Sequence, residues 1–547
     1  MTFRPESLEA FKNYDRQSFA ADVVSGLTVG VIALPLAIGF GIASGVTPIQ
    51  GLWTAIVAGF LISLLGGTRF QIGGPTGAFV PVLALIVAQH GYTGLALATA
   101  MSGIMLIVMG VLKLGTLIKF IPYPVTAGFT SGIAVIILVG QLKEFAGLNV
   151  EMPDHVPQQL MAIGTHLSQI NYSALGLGVL TIAIVFGFPK LTSRLPPSIV
   201  AVVICTALAY WLKLPVNTIV SKFGSIPSGW PGWHLPPVSL DLMRDLMGPA
   251  LTIAALGAIE SLLSAMVADG MADTRHDSNQ ELIGQGIANV LTPLVGGIAA
   301  TGAIARTAAN IRNGARSPFS GVVHSVVLLL VALFAAPLAG LIPLACLSGI
   351  LITVAIRMAE WDTFPEIWRS TRSDFFVLLT AFLLTVIFDL TIGVGIGLIM
   401  AAVMFVKRME EITHIKLVTP VNDDERSGSN SIAGKHVPDG VVLYRVEGPF
   451  FFAAAEKLES ALRASGGKPR AIILRMRNVP AMDASGLHAL EIVIEKLHRD
   501  GVKVLLTAVQ PQPMKVLVGS TLADKIGLEH FCANIDEALA LVDSLLK

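Results

Sequence analysis

Long apolar runs separated by short polar stretches fill the chain from about residue 23 to about residue 406, and a differently patterned segment follows from about residue 439. A helix needs roughly 20 mostly apolar residues to cross the hydrocarbon core of a bilayer. Runs of that kind recur near 23–43, 48–66, 92–112, 124–142, 172–189, 197–214, 249–269, 281–298, 318–338, 341–357, 374–389 and 391–407. Shorter ones lie near 75–90 and 302–314. Together they predict a polytopic α-helical membrane protein with about fourteen transmembrane helices. Residues 1–20 read as a polar leader, 21–410 as the transmembrane domain, 411–438 as a linker and 439–547 as a second domain.

The second domain alternates strand-like and helical runs. Residues 441–446, 471–476 and 502–508 read as strands, and 455–464, 485–499 and 535–546 as helices, which predicts a small α/β domain. At one strand-to-helix turn the sequence is PAMDASGL (480–487), where Asp483 or Ser485 is placed to cap the helix.

Charge then sets orientation. Lys and Arg collect in cytoplasmic loops. The leader, the Lys113/Lys119, Lys190/Arg194 and Arg369/Arg372 links and the Lys407-Arg408 pair are basic, whereas residues 144–170 hold neither Lys nor Arg. The basic links belong inside and 144–170 outside, so an even number of crossings leaves both termini in the cytoplasm.

Composition agrees with a chain that lies mostly in lipid: 53% hydrophobic and 14% charged residues over 547 positions, with a mean hydropathy of +0.72, against about 25% charged in a soluble domain. A formal net charge of zero gives no support to a nucleic-acid partner. Cys205, Cys346 and Cys532 are far apart and form no CxxC or Cys/His ligand spacing. No GxxxxGK[ST] phosphate loop occurs, which argues against an ATP-driven pump, and nothing assembles a hydrolytic triad, so the chain does not read as an enzyme.

Candidate chemistry lies in two short spans. Thr76-Gly77-Ala78 opens one and Thr301-Gly302-Ala303 the other, about seven spans later, each after a glycine pair (Gly73-Gly74 and Gly296-Gly297). An odd-numbered repeat inverts its second copy, and paired short, Gly- or Pro-interrupted spans point to a transporter's binding site. Helix starts at the bilayer midplane would aim free N–H groups at an anion, and Pro75 suits a first helical turn. The alternative is a packing motif of small residues. Arg306 follows within the second short span, either as the fixed cation of an anion site or as a snorkelling or structural arginine like Arg312 and Arg316. Glu260 lies mid-span and is either paired with Arg306 or protonated, a condition that suits proton coupling; Asp389 is placed near a helix end.

The chain resembles the SulP family of anion transporters, sulfate permease-like proteins that end in a STAS domain. The resemblance is carried by residues 73–79 (GGPTGAF), 266–286 (MVADGMADTRHDSNQELIGQG), 296–311 (GGIAATGAIARTAANI) and 479–487 (VPAMDASGL). It implies 7+7 inverted repeats forming core and gate subdomains, a cytoplasmic STAS domain, a homodimer, and an anion held between the third and tenth helices. By similarity to the family's bicarbonate transporters, the anion lies around Thr76, Gly302 and Ala303, and their sodium site matches Glu260 and Ser264; Gly77, Ala78, Thr301 and Arg306 complete the expected anion site. Glu260 stands where those proteins carry Asp, and Arg306 where they carry a small residue; both departures favour protons over sodium as the coupling ion, with no other cofactor. Residues 448–458 (GPFFFAAAEKL) and Ala305-Arg306 are most similar to the bacterial C4-dicarboxylate (DauA) branch. The first helix reads Pro35-Leu36-Ala37 and lacks the Pro-Gln of plant and animal sulfate carriers, and Ala484 stands where anti-sigma antagonists are phosphorylated.

The expectation is therefore a secondary transporter for a C4-dicarboxylate, sulfate or bicarbonate in a bacterial cytoplasmic membrane, with lipid and a second copy as partners and a cytoplasmic regulatory protein as a partner of the STAS domain. A sodium-coupled symporter, or an uncoupled exchanger or channel, is the alternative. A nucleobase transporter of similar architecture is disfavoured by Arg306 and by the STAS domain.

Overall fold

In lipid every backbone polar group needs an internal partner, which leaves helices as the structure open to these apolar runs. The computed structural model describes all residues except 1–3, 11, 13, 117–121, 154, 192–195, 226–228, 234–238, 389, 420–431, 433–434 and 465–468. Asp389, Lys119, Arg194 and half of the expected linker lie outside the described residues. The chain divides into two compact units, Met1–Ala401 and Ala402–Lys547.

The first unit is helical. Its main helices are α1 (Arg16–Ala43), α2 (Pro48–Leu65), α3 (Val80–Val111), α4 (Tyr123–Phe145), α5 (Tyr172–Gly187), α6 (Pro197–Trp211), α7 (Met247–Ala272), α8 (Ser278–Leu291), α9 (Ile304–Arg312), α10 (Phe319–Leu330), α11 (Leu344–Met358) and α12 (Arg372–Ile387), with α13 (Leu390–Ile412) running past the end of the unit. Among the described residues eight helices are long and apolar enough to cross a membrane. One of these, Gly77–Val111, is broken at Gly91, whose φ of 63° is left-handed, and this falls where the sequence separates two runs. The first helix starts at Arg16, several residues before the expected 23, because the Asp15 side chain accepts from the Ser18 N–H and caps it. The expected leader of 1–20 is shorter by those residues.

Packing sorts the helices into two sets. α1, α2, α3, α7, α8, α9 and α10 pack on one another, and α4, α5, α6, α11 and α12 form the second set. This is the core-and-gate division that the family resemblance implies. Small residues set the closest approach: an added Cβ at Gly103 would lie 2.6 Å from the Gly286 carbonyl oxygen, and one at Gly286 2.5 Å from that of Gly103. Between α2 and α3, and again between α8 and α9, the chain is extended for two residues. These are β1 (Gly73–Gly74) and β2 (Thr301–Gly302), which pair antiparallel with Gly73 opposite Gly302 and Gly74 opposite Thr301. Gly296-Gly297 takes no part; Gly296 ends a short 3₁₀ turn with φ 81°.

The second unit is built on a five-stranded sheet of order β3 (His414–Val418), β4 (Val441–Glu447), β5 (Ala471–Asn478), β6 (Lys503–Thr507) and β7 (Phe531–Cys532). β3 and β4 are antiparallel and the rest parallel. Alternate residues point to opposite faces. Tyr444, Val446, Leu474 and Leu506 pack with Leu458 of α14 (Phe452–Ala464) and Leu490 and Ile494 of α15 (Ala484–Arg499). Leu443, Ile473 and Leu505 pack with Ile535, Ala538 and Val542 of α16 (Ile535–Leu546). Asp483 caps α15 by accepting from the Gly486 N–H at 2.7 Å. Burial pushes the Cys532 thiol up to about 11. Two short helices, Pro511–Val518 and Leu522–Ile526, have no counterpart in the sequence reading.

β3 corrects the expected linker of 411–438, whose first residues are helix and whose next are an edge strand. The first four residues of the run His-Ile-Lys-Leu-Val alternate polar and apolar, but the run is short and directly follows a helix. A chain ended at residue 438 retains β3 without β4, an unpaired edge that invites association. We expect that truncation to aggregate in detergent and one ended at residue 412 to stay monodisperse, as measured by size-exclusion chromatography.

Candidate functional site at the crossing of two short strands

The site is built where β1 meets β2. Thr76 is extended (φ −129°, ψ 160°) and leads into a 3₁₀ turn, Gly77–Phe79, that continues as α3. Ala303 is likewise extended (φ −105°, ψ 107°) and leads into α9. No side chain caps either start, so the first N–H groups of both helices lack intrahelical acceptors. Thr76, Gly77, Ala78, Thr301, Gly302 and Ala303 are all buried and are brought together by the strand pair. One detail differs from expectation. The Gly302 N–H donates to Ser261 Oγ at 3.0 Å and the Ala303 N–H to the Ile72 carbonyl at 2.9 Å. On the α9 side the free donors therefore begin one residue later than expected, at Ile304. Ile304 is 39% exposed although it sits in the first turn of α9, so open space adjoins the helix start.

Arg306 lies in that first turn and is 2% exposed. Its Nη2 donates to the Pro75 carbonyl, and its Nη1 is buried with no hydrogen-bond partner. A snorkelling arginine would reach water; this one reaches back to the residue before Thr76. Glu260, in the middle of α7, is partly accessible and accepts from Thr76 Oγ1 at 2.8 Å. Of the two alternatives for Glu260, pairing with Arg306 or protonation, the first is not seen as a direct contact: among the described residues no ion pair within 4 Å joins the two, and the carboxylate is held by the Thr76 hydroxyl. Ser264, one turn further along α7, is fully buried and donates to Thr307 Oγ1 at 3.2 Å, which also accepts from the Ile72 N–H at 3.1 Å. Ser264 thus braces α9 behind the site.

Sequence reasoning missed the residues that hold the crossing in place. Gln71 precedes β1; Ser261 follows Glu260; Glu281, Gln285 and Asn289 lie on α8. All five are buried and bonded to one another or to the strands. The available signal was spacing: Glu281, Gln285 and Asn289 recur every fourth residue and form one polar stripe on a helix.

Comparison with known proteins gives the family. Residues 19–381 match the Sulfate permease family and residues 434–538 the STAS domain. The chain is 44% identical over 530 residues to the "Putative sulfate transporter YvdB" of Bacillus subtilis, covering 96% of this chain and 98% of that one. It is 34% identical over 493 residues to the bicarbonate transporter BicA of Picosynechococcus, covering 88% and 87%. The solved transmembrane domain of a cyanobacterial BicA superposes with a TM-score of 0.64 at 33% identity, over 71% of this chain and 98% of that one. Murine Slc26a9 in its inward-facing state shares the fold at a TM-score of 0.88 and 18% identity, over 99% and 94%. A family match over residues 19–381, relatives at 44% and 34% identity over most of their length, and a helical unit followed by a small α/β unit give one conclusion: the chain is a member of the sulfate permease family of membrane transporters, with a C-terminal STAS domain.

Proposed function

We propose that this protein is a secondary transporter that carries a small anion across the bacterial cytoplasmic membrane, coupled to protons. It makes about fourteen passes, with both termini in the cytoplasm, and works as a homodimer. The anion is sulfate, bicarbonate or a C4-dicarboxylate, held between the starts of α3 and α9. One observation carries this reading: a buried guanidinium with an unpartnered N–H stands at the junction of two uncapped helix starts. Leaving such a donor unpaired in a low-dielectric site is costly, and an anion supplies the missing acceptor. The names of the relatives support sulfate and bicarbonate.

Glu260 supplies the coupling. A hydroxyl can donate to a carboxylate or accept from a carboxylic acid, so the Thr76–Glu260 bond survives in either protonation state. Thr76 also opens the helix that faces the anion. Anion arrival beside Arg306 offsets that cation's field at Glu260 and favours proton uptake there, and by linkage the proton favours the anion. Glu260→Gln imitates the protonated form. The variant is expected to bind anion but to lose acceleration by an inward proton gradient. Uptake of each labelled anion into liposomes, with and without a pH gradient in sodium-free buffer, measures this. A mutant that responds to the gradient as wild type does removes Glu260 from the coupling step. A wild type that requires sodium returns Glu260 and Ser264, one turn apart on α7, to a cation site.

A further inference from the structure

The proposed anion site leaves one buried carboxylate unused. Glu281 is fully buried on α8, and a carboxylate in such a place is retained for a reason. Its Oε2 accepts from the Gly67 N–H at 2.9 Å and from Thr68 Oγ1 at 2.8 Å, and its Oε1 accepts from Gln71 Nε2 at 2.7 Å. The chain of bonds continues inward. Gln71 Nε2 also donates to Ser261 Oγ at 3.2 Å, and Ser261 Oγ accepts from the Gly302 N–H at 3.0 Å while donating to Gln285 Oε1. Gln285 and Asn289 then hold the Ala300 carbonyl, each at 2.9 Å. One face of α8 therefore grips both strands: Glu281 holds the residues leading into β1, and Gln285 and Asn289 hold the residue leading into β2.

The amide of Gln71 decides how this works. Its Nε2 makes both bonds, whereas its Oε1 is buried with no partner. An amide would ordinarily turn its oxygen towards a donor. It is kept in this orientation because an acceptor-only carboxylate faces it. We propose that Glu281 is a positioning residue for the anion site: it orients Gln71 so that Nε2 reaches Ser261, and Ser261 in turn fixes the Gly302 backbone at the start of α9. This inference rests on the anion reading of that site.

The test is a double-mutant cycle on purified full-length protein, titrated separately with sulfate, bicarbonate and succinate. Glu281→Gln replaces an acceptor oxygen with an NH₂ and lets Gln71 turn over. Alone it is expected to weaken binding of the recognised anion about tenfold, the loss of one hydrogen bond to a charged group, while maximal uptake at saturating anion stays near wild type. Ser261→Ala cuts the same path further on. The double variant is expected to bind no more weakly than the weaker single variant. Additive losses overturn the proposal, because Glu281 then acts by another route. If Glu281→Gln does not purify as a monodisperse protein, Gln71→Met cuts the link from the other end and takes its place in the cycle, with the same two outcomes. Wild type that binds none of the three anions overturns the anion reading and this inference together. Wild type that binds, with Arg306→Ala abolishing binding and the cycle additive, overturns this inference alone.

Discussion

Arg306→Ala should abolish anion binding and uptake while leaving the protein folded and of unchanged oligomeric state. Two effects combine. The substitution removes a cation from a site otherwise made of backbone N–H groups and hydroxyls, and charge-assisted hydrogen bonds are worth about 1.5–3 kcal/mol each. It also releases the Pro75 carbonyl, to which Nη2 donates, so the residue before Thr76 loses its tie to α9. Two such bonds amount to roughly a hundredfold or more in affinity. Arg306→Lys keeps the charge and loses the fork: one ammonium cannot both hold Pro75 and present a second donor along a fixed direction. It should bind weakly. Titration with each anion in detergent, beside a thermal melt, separates lost binding from lost folding. Wild-type affinity in the alanine variant would remove Arg306 from the site.

Gly74→Ala should be nearly as damaging, through the backbone. Gly74 has φ 144°, a conformation unfavourable for any residue with a Cβ, and that Cβ would sit 2.6 Å from Arg306 Nη1 and 3.3 Å from the Ala55 Cα. Ala55 is backbone packed in α2 and cannot yield, so the arginine must. Strain of about 1–3 kcal/mol adds to overpacking of about 1–3 kcal/mol, and the guanidinium is displaced from the site. Gly91→Ala is the control. Gly91 is also left-handed, at φ 63°, but an added Cβ there meets nothing within 4 Å. It should lose about 1–3 kcal/mol and keep anion affinity. Equal affinities in the two variants would mean that the crossing of β1 and β2 does not position Arg306.

The membrane helices and the α/β unit were legible because each leaves a periodic trace. The runs near 172–189 and 535–546 coincide with α5 and α16 to within a residue or two. Thr76 and Gly302 were legible as interruptions of apolar runs. The strand pairing was not: Gly73 and Gly302 are far apart in the chain, and two-residue strands have no period. Nor could spacing reveal that Glu260 is bonded to Thr76 rather than paired with Arg306, since both partners lie on other elements. β3 was lost to the expected linker because five residues beside a helix end look like its continuation. Glu281 stood in plain view within the 266–286 motif, but a lone carboxylate near a helix start ordinarily reads as a solvated end, and only the fold shows it buried beneath Gly67 and Thr68.

The pairing of β1 with β2 has a consequence for how the protein is made. Gly73 must wait for Gly302, 229 residues later (302 − 73), and at about 5–20 residues per second a ribosome needs on the order of 10–50 s to deliver it. During that interval the extended segment before α3 has no strand partner, and an unsatisfied backbone group in hydrocarbon costs several kcal/mol. The nascent first half must therefore be kept hydrated or sheltered by the insertion machinery until the second half arrives. Two half-chains expressed separately should each be short-lived, and together they should restore one another.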